Sequence, residues 1–282
     1  MGRQESFFDI MNKPLASSGR RLPVFNATAL RIQQEIAKEE ADINLVEKLI
    51  VSDQSLAAKV LSVSNSSFYR GLDQTATVRN AIVRLGMKEV SNIVIQTTHE
   101  NNFRSKDPFV HNNMRALWRH SLGCAMGSNW LAKKCGLNGL AHEAFFAGLL
   151  HDVGKLLILT FIDDLKYSDN LDLQPSSAQL HKVMDSLHAN HGYFLMVHWN
   201  LPEKYCHIVR DHHHEEFDPQ DMLQILVRLA DKACLKLGIG MVEDPELNLV
   251  ATAEAMLLQI SEADLTQLEI TLGDSQIIAN NS

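Results

Sequence analysis

The spacing of apolar residues constrains this chain more than any other feature of it. Between Asp42 and Val63 the residues Ile43, Val46, Leu49, Ile50, Leu56, Val60 and Leu61 recur mostly at three- and four-residue steps, the period that lays one apolar stripe along an α-helix. A break near Val51-Ser52-Asp53 fits a turn and a fresh N-cap, Ser52 or Asp53, ahead of Leu56. Ala81, Ile82 and Leu85, then Val90, Ile93 and Val94, give a second helical pair interrupted at Gly86. The single Asn-Gly pair, Asn138-Gly139, lies between helical patterns and not alternating ones, so it does not read as a hairpin. The chain is expected to be all-α.

The pattern also divides. Asn101–Asn113 is polar and holds Asp107-Pro108, so it reads as a connection between two helical halves. That gives an N-terminal helical subdomain over 1–108, a helical core over 109–240, and C-terminal helices over 241–282 packed on the core. In the last part Leu247, Leu249, Val250, Ala253, Met256, Leu257 and Ile260 suggest one amphipathic helix, and Ser261–Leu272 a short final one. Ile162–Ser177 is polar and reads as a surface loop or short helix. A hydrophobic content of 45% over 282 residues is enough for a sizeable core.

Cys124, Cys135, Cys206 and Cys234 show no CxxC spacing and read as buried thiols in a reducing cytosol. The longest apolar runs, Ala144–Leu150 and Leu156–Ile162, fall short of the ~20 residues that span a bilayer. Met1–Ser6 has no apolar signal region. It does fit the loose N-myristoylation pattern, a motif short enough to recur by chance. A cytoplasmic protein with no membrane partner is expected.

Charge and histidine narrow the chemistry. The net charge is −8, whereas a broad phosphate-backbone footprint needs a basic face; a nucleic-acid partner is therefore not expected. Aromatic content of 6% gives few stacking platforms. Histidine stands out with 13 residues, all but His99 at or after His111. Imidazole is the commonest metal ligand.

Five segments of the second half carry ligand types in the order His120, His151-Asp152, His188, His212-His213-His214 and Asp231. Each falls on a different helical stretch, which is how a bundle assembles a metal site from facing side chains. The apolar run Ala144–Leu150 delivers His151 and Asp152 into the interior, where a bare carboxylate is costly and a cation is its natural compensation. Asp231 follows Leu229-Ala230 in an equally apolar stretch. Singly, each has a plainer role: a core histidine, a solvated loop triplet, a helix cap, or a carboxylate paired with Arg210 or Arg228. Together they converge far less readily by chance.

At these residues the sequence resembles the HD superfamily of metal-dependent phosphohydrolases, and within it the HDOD branch, related to HD-GYP proteins. Ile50–Leu56, Lys59–Tyr69 and Ala81–Gly86 resemble the branch signatures "I..DP.L..K.L...NS..Y" and "AI..LG"; Ala147–Lys155 resembles "AGLLHDIGK"; and His188–Gly192 with Trp199–Pro202 resembles "HA.VG……W.LP". This last match favours His188 over His191. The resemblance covers roughly Leu22 to Asp231. It implies an HD-domain, phosphodiesterase-like helical bundle with the metal-binding core at 109–240.

The resemblance also implies roles. His120, His151, Asp152 and Asp231 would hold one metal, and Asp152 would bridge to a second held by His188, His212 and His213. Asp152 and Lys155 would be catalytic, with Lys155 facing a substrate phosphate. Such a ligand set suits Fe or Mn first, with Ni, Co and Zn also compatible. Two departures separate the chain from HD-GYP enzymes: Ala116 stands where they carry Glu, and His214-Glu215-Glu216-Phe217-Asp218-Pro219 replaces their GYP loop. Cyclic-di-GMP hydrolysis is therefore not expected. Two functions remain in view. One is a regulatory phosphohydrolase acting on a phosphorylated small molecule or nucleotide. The other is a non-enzymatic signalling module that binds a protein partner, with its metal structural or absent.

Overall fold

Short polar side chains start most of the helices. A computed structural model describes residues 7–12, 22–66, 69, 74–167 and 175–280, and 73% of them are helical, with no strand among the described residues. The order is α1 Phe7–Met11, α2 Ala27–Ile36, α3 Ile43–Val51, α4 Gln54–Ser64, α5 Val78–Leu85, α6 Met87–Glu100, α7 Pro108–Lys134, α8 Ala141–Leu150 and α9 Val153–Tyr167. There follow α10 Ser177–His198, α11 Glu203–Asp211, α12 Met222–Lys236, α13 Ala253–Leu257 and α14 Glu262–Asn280. The Met1–Ser6 motif, Ser67-Phe68 of the branch signature, and 168–174 lie outside the described residues.

The chain separates into two units, Val24–Asn102, and Met1–Pro23 with Phe103–Ser282. In the first, Asn26, Asp42, Asp53 and Thr77 accept from backbone N–H groups at the starts of α2 to α5, satisfying donors that the helix leaves unpaired. Asp53 is thus the cap ahead of Leu56. Gly86, at φ +82°, makes the abrupt junction between α5 and α6 in a conformation that favours glycine. Ile32, Val46, Ile50, Val60, Val90 and Val94 form a fully buried core. The two ends of this unit meet: the Asn102 side-chain amide donates to the Val24 carbonyl at 3.2 Å.

In the second unit α7 is the central helix, packed against α8, α12 and α14, while α9 packs on α10 and α1 also rests on α10. Several boundaries differ from the sequence reading, each for a local reason. Asp107-Pro108 starts α7: the Asp107 carboxylate accepts from Val110 N at 3.0 Å and proline occupies the first turn. Ile162–Tyr167 remains helical, its Lys166 ammonium reaching Asp107 at 2.6 Å. The stretch 247–260 is not one helix, because Thr252 is extended and caps a new helix, α13, after a 3-10 turn at Leu249–Ala251. The last helix is longer than expected and buries Leu265, Leu268 and Leu272.

Taken across its central turn, Asn138–Tyr167 is long and apolar enough to cross a membrane, with a mean hydropathy of 1.7 in its most apolar window. However, 89% of that window is buried inside the protein. It forms the core beneath the histidines.

Candidate metal centre

Two glycines of the segment Ala147–Lys155 set how closely the helices around it approach. A side chain at Gly148 would put its Cβ 2.7 Å from the Cys124 carbonyl oxygen on α7; at Gly154 it would lie 1.8 Å from the His188 carbonyl oxygen on α10. No Cβ fits at such distances, so glycine is what lets α8 meet α7 and α9 meet α10 backbone to backbone. Between these contacts sits His151-Asp152. The doublet lies in a two-residue turn between α8 and α9, a correction to its expected place on one helix. Both residues are fully buried.

The structure brings all seven proposed ligand residues together, from five places in the chain: α7, the α8–α9 turn, α10, the end of α11, and α12. His120 Nε2 lies 3.2 Å from Asp152 Oδ2, 3.2 Å from Asp231 Oδ1 and 3.2 Å from His151 Nε2. On the other side of the same carboxylate, Asp152 Oδ1 lies 3.6 Å from His188 Nε2 and 3.5 Å from His212 Nε2. His213 packs its ring against His212 and His188, with centroids 4.0 and 5.0 Å apart. His191 does not join them; its ring reaches the Met11 carbonyl of α1 at 3.4 Å.

The imidazoles are aimed by their second nitrogens. Nδ1–H donates to a carbonyl oxygen in four cases: His120 to Ile239 at 3.0 Å, His151 to Gly148 at 2.8 Å, His188 to Met184 at 2.6 Å, and His212 to Val209 at 3.0 Å. A carbonyl oxygen can only accept, so each neutral ring presents an Nε2 lone pair to the centre. Three of the converging atoms, Asp152 Oδ1, His188 Nε2 and His212 Nε2, are buried with no hydrogen-bond partner. Buried acceptors that face one another unpartnered are costly, and a cation satisfies all of them at once. The donor set fits a metal.

The charges agree with that reading. Burial would raise the Asp152 carboxyl, but Lys155, His151 and His120 overcome it and hold it well below the usual range. Burial opposes, but Asp152 and Asp231 outweigh it at His120, whose pKa rises well above 6.5, so a metal held there would displace the ring proton that the two carboxylates otherwise favour. Burial pushes His188 and His212 down to about 4, keeping them neutral as ligands must be. Lys155 Nζ lies 2.6 Å from Asp152 Oδ2.

Three contributors escaped the sequence reading. Cys124 is one turn beyond His120 and its Sγ lies 3.7 Å from His120 Nε2; the i, i+4 spacing was the available signal. Arg228 donates through Nη1 to the carbonyls of His212 and His214, at 2.6 and 2.7 Å, and through Nε to the buried Glu254 at 2.7 Å. Gly240, at φ +143°, lets its loop pass close to the His120 ring, which no pattern in the sequence announces.

A cleft of about 240 Å³ opens onto this cluster. Lys155, His213 and Asp231 are among its polar lining residues, and Leu117, Met184 and Ile239 among the apolar ones of its wall.

Comparison with known proteins bears on this geometry. The HDOD domain family model matches residues 22–215. A protein of Treponema pallidum (strain Nichols) with no characterised function is 22% identical over 214 residues, covering 74% of this chain and 41% of the relative. The chain thus spans less than half the length of that relative. An HDOD domain protein with unknown function from Geobacter sulfurreducens superposes with a TM-score of 0.73 at 23% identity, over 96% of this chain and 95% of that one. A candidate metal-dependent phosphohydrolase from Shewanella amazonensis gives 0.62 at 16%, over 89% and 92% of the two chains. A candidate signal transduction protein from Marinobacter aquaeolei gives 0.66 at 21%, over 92% and 59%. At these identities the solved structures establish the fold.

Proposed function

This chain belongs to the HDOD family, and from that premise we propose that it is a regulatory protein whose His/Asp cluster holds two divalent metal ions and hydrolyses a phosphoester or phosphodiester. One observation carries the reading: the two oxygens of Asp152 face two separate groups of imidazoles. His120, His151 and Asp231 would hold one ion with Asp152 Oδ2. His188, His212 and His213 would hold the other with Asp152 Oδ1. Such ions, Fe or Mn first and Ni, Co or Zn as alternatives, supply Lewis acidity and an activated water for attack on phosphorus.

The remaining work falls to the chain. Lys155 holds the Asp152 carboxylate in orientation and lines the cleft, where its ammonium would meet a phosphate oxygen. The apolar wall would take the rest of a phosphorylated small molecule or nucleotide. Protein purified without a histidine tag is expected to carry near two equivalents of metal and to turn over a phosphoester from a broad panel. Turnover no greater than that of Asp152→Ala across the panel would sink the hydrolase.

One observation favours a second reading, a non-enzymatic signalling module with a structural metal or none. The unit Val24–Asn102 adds five helices and no member of the cluster, so chemistry alone gives it no task. Metal content near zero, with binding to a signalling protein unchanged by Asp152→Ala, would support this alternative.

A further inference from the structure

We propose that Cys124 completes the first of the two metal positions, making it a thiolate-containing site that selects zinc, whereas the second position holds no sulfur. The inference rests on the metal-holding part of the proposed function and adds a ligand and a metal preference to it.

The argument begins with lone pairs. His120 Nδ1 and His151 Nδ1 both point at carbonyl oxygens, so in the neutral rings their Nε2 lone pairs face each other across 3.2 Å. Asp231 Oδ1 adds a third acceptor, 3.2 Å from one nitrogen and 3.7 Å from the other. The fourth corner is sulfur: Cys124 Sγ lies 3.7 Å from His120 Nε2, closer than to Nδ1 at 4.0 Å. One ligand atom from each of His120, Cys124, His151 and Asp231 falls within 4.8 Å of all the others. Metal bonds of 2.0–2.3 Å put the corners of a tetrahedron roughly 3.3–3.8 Å apart. Four of the six separations, 3.2 to 3.7 Å, lie close to that spacing, and the other two, from Cys124 Sγ to His151 and Asp231, are within 4.8 Å.

Sulfur changes what the position prefers. A thiolate with two imidazoles and the Asp231 carboxylate is a soft-tolerant set that suits zinc, with Asp152 Oδ2 as a fifth ligand, whereas sites of nitrogen and oxygen alone accept Fe or Mn more readily. Binding releases the thiol proton to solvent and leaves Cys124 as the anion. The Cys234 thiol on α12 neighbours Cys124 and can donate to that anion, as outer-shell donors do for ligating sulfur. The second group, Asp152, His188, His212 and His213, has no such atom.

Cobalt(II) tests this directly, because a thiolate bound to it produces a near-ultraviolet charge-transfer band that nitrogen and oxygen ligands do not. The whole 282-residue chain loaded with cobalt is expected to show that band. Cys124→Ser should lose it while circular dichroism stays native, and Cys234→Ser should keep it with about a tenfold weaker zinc affinity. Zinc should displace the band-bearing equivalent ahead of the other. Bound cobalt with no band in the wild type overturns the inference and leaves the metal centre standing. A band that survives Cys124→Ser overturns it too. Failure to bind cobalt at all overturns both the inference and the metal centre.

Discussion

Arg228 joins two parts of the second unit through one guanidinium. Nε donates to Glu254, which is fully buried, and Nη1 donates to the carbonyls on either side of His213. The His212–His214 backbone is thereby held in place, and His212 and His213 are presented to Asp152. Arg228→Gln is expected to weaken metal binding at the second position by about 10–100-fold, measured by competition with a chromogenic chelator. An unchanged affinity would reduce Arg228 to a structural ion pair. Burial of His188 and His212 makes a second prediction. Both have pKa values near 4 in the fold against 6.5 as the reference, so the unfolded chain binds more protons between those values. Stability of the metal-free protein should therefore fall as pH drops from about 6.5 towards 4. His120, raised above 6.5, is protonated in both states over that window and does not offset the slope. Its own contribution is lost as pH rises above 6.5. Urea midpoints at pH 6.5, 5.5 and 4.5 would show the order, and a rise on acidification would contradict it.

At the scale of elements, the closest contacts are made by glycine. Gly154 and Gly192 face each other where α9 crosses α10, one turn from His188. Gly154→Ala forces a methyl against the His188 carbonyl, and overpacking of this kind costs about 1–3 kcal/mol or more. Loss of stability in urea should be accompanied by loss of metal, because α10 carries His188 away from Asp152. A variant that folds and binds metal normally would show that α10 can shift without moving its ligand. These contacts also explain which parts of the site were legible in the sequence. Convergent His and Asp residues in apolar stretches were visible because such residue types are costly in an interior unless paired, whereas the choice of His188 over His191, and of His212 and His213 over His214, came from the resemblance to the HDOD signatures. Cys124 was hidden because a buried thiol is ordinary by itself. Arg228 and Gly240 act through backbone atoms, which leave no periodic trace. The break at Thr252 was missed because apolar spacing ran on through a capping residue.

For the whole molecule, the two units carry unequal reporters. Trp118, Trp130 and Trp199 all lie in the unit that holds the cluster, whereas helical circular dichroism samples both. Saturating metal at ~100 times its dissociation constant adds about 2.7 kcal/mol to the state that binds it, or roughly 5–10 °C for a unit of this size. Removing metal with a chelator is expected to lower the tryptophan-detected melting temperature by that amount and leave the helical signal of Val24–Asn102 in place. Equal shifts by both probes would mean that the units melt as one. That the described residues are helical with no strand was legible from periodicity. That α1 packs on α10 was not, because a five-residue helix carries too little pattern to name a partner so far along the chain.

That contact has a consequence for synthesis. Helix α1 is made some 160 residues before α10, its seat. At 5–20 residues per second the gap is roughly ten to thirty seconds. For the later part of that interval Val24–Asn102 is already complete, its two ends tied by Asn102 and Val24, while α1 has nothing of its own to pack on. The inserted unit can fold on schedule; the unit that surrounds it must wait for its last helices, and its metal ligands with it.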